Sequence, residues 1–343
     1  METKYYGCLL AAACGDALGY PVEFRSDASI RKAYGEDGIT EMDLRAGKAL
    51  ISDDTQMSIY TAQGLIHGKQ KGCDYHQTLM EIYKSYLRWI VTQGHSIYPS
   101  QDGVYTMEEI QHNDDLAVGL QKQSLSSSRA PGLTCCSALE SGAYGTRERR
   151  INDSKGCGGI MRVAPIAIAY SKDQKMAYAM ACDASLLTHC HDFGYTPSGA
   201  LVLILAKLFS GMTLEDSIME TITDLKDIPE CAQLVPILEE AVQLARDGVP
   251  AKKAYQSLGE GWVAEETLAI AIWAALSNPT DLKKAVVESV NHSGDSDSTG
   301  CVCGAIMGAA LGREAIPPSW LENLELKELI IKQTSQLCTL YGV

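Results

Sequence analysis

Two short runs of this 343-residue chain set carboxylates beside hydroxyls. One is Ser52-Asp53-Asp54-Thr55; the other is Gly294-Asp295-Ser296-Asp297-Ser298-Thr299-Gly300. Each stands directly before a segment with helical character, so each has two readings. Ser and Asp are favoured helix N-caps, and an acidic side chain in the first turn is stabilised by the helix dipole. Asp53 with Gln56 even has the form of a capping box. A cap needs only one such residue, however, and paired carboxylates repel. A divalent cation relieves that repulsion, and carboxylate and hydroxyl oxygens are hard ligands suited to Mg²⁺ or Mn²⁺. The second run begins like an EF-hand loop, but the position where that loop requires Glu is Ile306, which excludes the EF-hand.

Two further segments carry chemistry less distinctly. In Gly15-Asp16-Ala17-Leu18-Gly19-Tyr20-Pro21-Val22-Glu23 a helix ends near Gly19 and Pro21 turns the chain. Glu23 then lies in a loop able to lean over a site, although Asp16 also reads as a helix-end residue and Glu23 as a surface carboxylate. The run Ser154-Lys155-Gly156-Cys157-Gly158-Gly159-Ile160-Met161-Arg162 leads into Val163-Ala164-Pro165-Ile166. A glycine-rich turn before a helix exposes N–H groups that can cradle a phosphate. The same turn serves equally as a tight packing loop, and it lacks the Lys-Ser/Thr of a P-loop.

Helices must position these groups. Helical spacing or composition points to helices at 5–18, 54–67, 76–91, 198–210, 231–246, 262–276, 281–290 and 299–311. Alternating strand patterns are scarce and there is no βαβ rhythm, so the expected fold is all-α. Residues 94–135, rich in Ser, Gly, Gln and Asp, read as long loops with short helices between them. No linker or repeat divides the chain, so a single compact domain over 1–343 is expected. Gly7, Ala11, Gly15 and Gly19 recur at four-residue spacing, as do Gly300, Gly304, Gly308 and Gly312. Such residues share one helix face, and each glycine costs a helix about 1 kcal/mol relative to Ala. The stripes imply close approach by another element, and packing of the two stripes on each other would bring the acidic clusters together.

Composition narrows the class. Acidic residues outnumber basic ones 43 to 29, for a net charge of −14, which argues against general nucleic-acid binding. The 12 cysteines form no C-x-x-C pair, so a structural zinc site is not expected. The apolar N-terminal run reads as a buried first helix rather than a signal peptide, and nothing approaches the length of a membrane span. Reduced cysteines and a cytoplasmic location are the expectation.

Taken together, GDALGYPVE, SDDTQM, SKGCGGIMRVAP, LLTH and GDSDSTG resemble, in order and separation, the ADP-ribosylglycohydrolase family. That family includes dinitrogenase reductase-activating glycohydrolases and ADP-ribosylarginine hydrolases. The resemblance runs from about residue 5 to Trp320. It implies a compact orthogonal all-α domain with two divalent cations, Mg²⁺ or Mn²⁺, at the base of a cleft. Ser52, Asp53 and Asp54 match one metal motif, and Asp295, Asp297 and Ser298 match the other. Glu23 matches a loop glutamate of catalysis or coordination. Ser154, Lys155, Gly156 and Cys157 match a loop gripping the phosphates and distal ribose of ADP-ribose, and His189 matches a histidine lining the cleft. The family commonly has Asn at Cys157 and often Thr at Ser298. His191 gains no role from the resemblance and reads as structural.

The implied reaction removes ADP-ribose from a modified side chain by cleaving a glycosidic bond, through an oxocarbenium-like transition state and with a metal-bound water as nucleophile. Glu23, Asp53, Asp54 and Asp297 are the expected catalytic carboxylates, with Glu23 or an Asp of the first cluster accepting the proton of water. Ser298 and the segment Arg129-Ala130-Pro131-Gly132 resemble the arginine-specific branch. ADP-ribosylserine, a small ADP-ribose conjugate, a non-catalytic ADP-ribose-binding relative and a two-metal pyrophosphate hydrolase are the competing readings. The expected partner is an ADP-ribosylated protein or small molecule, with no membrane.

Overall fold

The computed structural model describes residues 2–112, 115–116 and 119–343. The first half contains helices α1 (Glu2–Gly19), α2 (Asp27–Tyr34), α3 (Asp53–Gln70), α4 (Tyr75–Thr92), α5 (Met107–His112), α6 (Gly119–Leu125), α7 (Leu133–Glu140) and α8 (Ala164–Ala169). The second half contains α9 (Gln174–Leu186), α10 (Asp192–Phe209), α11 (Leu214–Leu225), α12 (Leu234–Arg246), α13 (Ala251–Leu258), α14 (Ala264–Ser277), α15 (Leu282–Val290), α16 (Ser296–Leu311), α17 (Pro318–Asn323) and α18 (Lys327–Tyr341). The fold is all-α, as expected. The exception is a hairpin of β1 (Leu44–Arg45) and β2 (Lys48–Ala49). Ala46 and Gly47 turn it at φ 49° and 78°, the positive pair that a tight two-residue turn needs. No described helix is long and apolar enough to cross a membrane.

The glycine stripes do pack on each other. A Cβ on Gly15 would lie 1.9 Å from the Gly300 carbonyl oxygen, and one on Gly304 would lie 2.1 Å from that of Ala11. Gly308 meets Gly7 O at 2.1 Å in the same sense, and Gly19 meets Ser296 O at 2.2 Å. Numbers rise along α1 as they fall along α16, so the two helices are antiparallel and in backbone contact. That register sets the end of α1, and with it Glu23, against the start of α16, which carries Asp295 and Asp297.

The expected helix at 198–210 begins instead at Asp192. The His191 ring accepts the Phe193 N–H at 3.0 Å and caps the helix, and Pro197 is carried inside it. The expected 231–246 helix is split into a 3₁₀ turn at Pro229–Cys231 and α12. Helices α2, α9, α11, α13, α17 and α18 have no counterpart among the expected segments. Short helices α5, α6 and the start of α7 interrupt 94–135, as expected.

Candidate functional site

Three chain segments deliver the carboxylates. Ser52 caps α3 by accepting the Asp54 N–H at 3.2 Å, which places Asp53 and Asp54 in its first turn. Asp295 caps α16 by accepting the Ser298 N–H at 3.2 Å, which places Asp297 and Ser298 likewise. Each run therefore caps a helix and also lines a common space with carboxylates, although the cap of α3 is Ser52 and not the expected Asp53–Gln56 box, whose Gln56 amide donates to Ser124 O and Ser127 O instead. Glu23 arrives from the turn after α1, where Val22 and Glu23 N–H groups return to Gly19 O. Oxygens of Glu23, Asp295 and Asp297 lie within 4.8 Å of one another. Asp53, Asp54 and Ser298 join them in lining one cleft.

The electrostatics of this lining are severe. Burial raises the carboxyl pKa of Asp53, Asp54 and Asp297 well above the usual range, and the neighbouring charges push the same way. Burial, then Asp297, Asp295 and Asp53, push Glu23 up to about 11. Asp295 is raised by burial but held back by donors from Asp297, Cys157 and Ser298; the Cys157 thiol donates to its Oδ2 at 2.7 Å. Glu23 Oε2 and Asp54 Oδ2 are buried without a hydrogen-bond partner. Orphaned carboxylate oxygens over an all-oxygen donor set are what a hard divalent cation takes up. The residues present fit such ions.

Asp16 has a part that its local sequence does not announce. It is fully buried and accepts the Ser52 N–H at 2.9 Å, the Thr55 N–H at 3.1 Å and the Thr55 hydroxyl at 2.5 Å. It therefore pins the N-terminus of α3 to α1. Burial and Asp297 raise it to about 7, against the pull of those donors. Arg129 does similar work from the other side. It pairs with Glu325 and donates to Ile51 O at 2.8 Å. The Arg129 carbonyl meanwhile accepts the Asp53 N–H at 3.2 Å, and the Gly132 N–H reaches Asp53 Oδ2 at 3.3 Å.

The wall of the cleft is formed by Gly156, Cys157, Gly158 and His189. The glycine loop is held by the start of α14, whose Ala264 N–H donates to Lys155 O at 2.9 Å. Ser154 and Lys155 are not on that wall. The Ser154 hydroxyl meets Thr134 Oγ1 at 2.9 Å, and Lys155 pairs with Glu265 and lies 5.5 Å from the Phe193 ring. Ser52 does not line the cleft either. The sequence reading left out Phe24 and Trp262, which stack at the mouth with ring centroids 5.3 Å apart. Phe24 is 69% exposed and takes φ 62°, a left-handed backbone that costs a large side chain about 1–2 kcal/mol. Exposure and strain together are the signal, and neither is visible without coordinates.

The all-α fold sets the N-termini of α3 and α16 and the turn after α1 around one carboxylate-lined cleft, the setting of a helical protein with a polar site. The family model described as ADP-ribosylglycohydrolase matches residues 1–342, and the chain belongs to that family of glycosidase-type hydrolases. It is 26% identical over 348 residues to an uncharacterised protein of Archaeoglobus fulgidus, covering 99% of this chain and 98% of that one. It is 25% identical to the ADP-ribosylhydrolase ARH3 of Gallus gallus, covering 98% and 93%. The ADP-ribosylarginine hydrolase Tri1 of Serratia proteamaculans is 26% identical over 54% of this chain and 47% of its own. A solved ADP-ribosylglycohydrolase-related protein complex shares the fold with TM-score 0.62 at 22% identity, covering 99% and 98%.

Proposed function

We propose that this chain hydrolyses the glycosidic bond joining ADP-ribose to a modified side chain, arginine in first place, using two divalent cations, Mg²⁺ or Mn²⁺. The observation that carries the reading is the meeting of Glu23, Asp295 and Asp297 oxygens within 4.8 Å above Asp53 and Asp54 in one cleft. Asp53, Asp54, Asp295, Asp297, Ser298 and, from beneath, Ser52 would hold the cations. Such ions would neutralise the carboxylates and supply Lewis-acid activation of a water. With the cations offsetting the neighbouring charges that help to raise it, Glu23, whose Oε2 is buried and unpartnered, would be placed to accept a proton from the attacking water. The Gly156–Gly158 backbone and His189 offer the wall against which the pyrophosphate and distal ribose would lie. Acidic groups and two stacked aromatic rings at the mouth suit a planar cationic leaving group, since guanidinium favours both carboxylates and aromatic faces. The Serratia relative, named an ADP-ribosylarginine hydrolase, supports the same preference.

The test is product analysis with ADP-ribosylarginine and ADP-ribosylserine substrates side by side. Free ADP-ribose, released faster from arginine, is the expected result. Faster release from serine would overturn the arginine assignment alone. Release of AMP instead would overturn glycosidic cleavage in favour of pyrophosphate hydrolysis.

A further inference from the structure

His189 is set into the cleft wall by contacts that decide where its proton sits. The residue is buried, and its ring packs edge-on against the glycine loop. A Cβ on Gly158 would stand 2.9 Å from its Cε1 and 3.1 Å from its Nε2, and one on Gly156 would stand 3.6 Å from Nε2. A side chain at 158 would crowd the ring, whereas one at 156 would leave it ordinary contact distance. Its Nε2 edge therefore faces the loop and the cleft, while Nδ1 faces inward to Thr188 Oγ1 at 2.8 Å.

Behind Thr188 stands Arg162, fully buried, with its guanidinium 4.2 Å from the Tyr86 ring. A guanidinium has hydrogen-bond donors and no acceptor. Its Nη2 donates to Ala184 O at 3.0 Å and to Thr188 Oγ1 at 2.7 Å. The Thr188 hydroxyl has one proton to give. Ser185 O lies at 3.5 Å, the outer limit of a hydrogen bond, whereas His189 Nδ1 lies at 2.8 Å. The nearer partner for that proton is Nδ1, provided the ring carries its own proton on Nε2.

We infer that Arg162 and Thr188 form a relay that holds His189 as the Nε2–H tautomer, a fixed hydrogen-bond donor to an oxygen of the bound ligand. In the neutral ring one nitrogen accepts and the other donates, so acceptance at Nδ1 leaves the proton on Nε2. Burial, followed by the Arg162 charge, lowers the ring pKa to about 3, in keeping with a ring that stays neutral. His189 then acts neither as a base nor as a cation. Arg162 and Thr188 are positioning residues, acting through it. The ligand chemistry is a phosphate or ribose oxygen of ADP-ribose, a point that rests on the proposed function; the tautomer does not.

The experiment is long-range ¹⁵N–¹H correlation of the full-length protein with ¹⁵N-labelled histidine at neutral pH, the His189 signals being assigned by their loss in His189→Gln. The expected result is a pyridine-type Nδ1 and a pyrrole-type Nε2. An Nδ1–H tautomer, or an imidazolium, overturns the inference whether or not the Thr188 variants fold. Thr188→Val should disturb that pattern and weaken ADP-ribose binding roughly 10- to 100-fold, while Thr188→Ser restores both. His189→Leu should weaken binding to the same extent, and His189→Gln, whose amide can present an N–H near the Nε2 position, should retain most of it. An unchanged tautomer and unchanged binding in Thr188→Val would overturn the relay. If wild type shows the tautomer but no affinity for ADP-ribose, the relay stands and the proposed function fails.

Discussion

At the scale of single residues, the carboxylate lining of the cleft is destabilising to the protein that carries it. Asp297 is buried beside Asp295, and Asp16, Asp53 and Asp54 all feel its charge. Asp297→Asn keeps the carbonyl that accepts the Ser298 N–H and removes the charge. In chelator it should raise Tm by a few degrees, about 1–2 kcal/mol of relieved repulsion, while lowering ADP-ribose release at least ~100-fold in the presence of cations. Calorimetry and a hydrolysis assay on the same preparation check both; a variant equally active would remove Asp297 from the centre. The pH dependence follows from the raised carboxyls. A group whose folded pKa lies above the unfolded value of about 4 binds its proton more tightly when folded. Stability of the chelated protein is therefore lost as pH rises through that window. Cations that hold the carboxylates abolish the loss, so the gain in Tm on adding Mn²⁺ should grow between about pH 5.5 and pH 8. A gain that shrinks with pH would contradict the placement of these carboxylates at the cation site.

At the scale of elements, the antiparallel α1–α16 pair is the device that makes a site from residues nearly three hundred positions apart. Its glycines are legible in sequence because the four-residue spacing is expensive and hard to explain otherwise. Gly304→Ala drives a methyl group into the Ala11 carbonyl, 2.1 Å away, and backbone has little room to give. A loss of about 3 kcal/mol or more is expected from such overpacking, with Tm and cation affinity falling together, because α16 carries Asp295 and Asp297 at its start. Cation affinity unchanged in a folded Gly304→Ala variant would contradict the coupling. The two Asp runs and Glu23 are legible for a similar reason: the residue types announce hard-ligand chemistry locally. Asp16 is not, since its role is to accept N–H groups from the start of α3, which is remote in sequence. Helix α11 was legible and passed over, for Thr213 accepts the Asp216 N–H in an ordinary N-cap. The start of α10 was not, because Pro197 marks a boundary that the His191 cap overrides. Ser154 and Lys155 show the limit of reading a motif residue by residue: the loop reaches the cleft, but these two side chains are engaged with Thr134 and Glu265.

At the scale of the whole molecule, the C-terminal segment is tied to the elements that carry the site. Gln333 of α18 donates to Ile59 O of α3 at 3.0 Å, and Glu325 holds Arg129 behind Asp53. We propose on these grounds that residues 1–343 unfold as one unit. Calorimetry should give a single transition, and Glu325→Ala, which leaves Arg129 buried and unpaired, should lower it by about 3 kcal/mol without splitting it. Two transitions would show separable domains. The net charge of −14 and the buried carboxylates of the cleft are the features on which the proposed cation centre rests. The most direct measurement is therefore ADP-ribose release from an ADP-ribosylarginine substrate by chelated protein as Mg²⁺ or Mn²⁺ is titrated back. The account predicts no release in chelator, recovery on add-back, and no recovery in the Asp53→Ala/Asp297→Ala variant. Full release in chelator, or recovery in that variant, would contradict it.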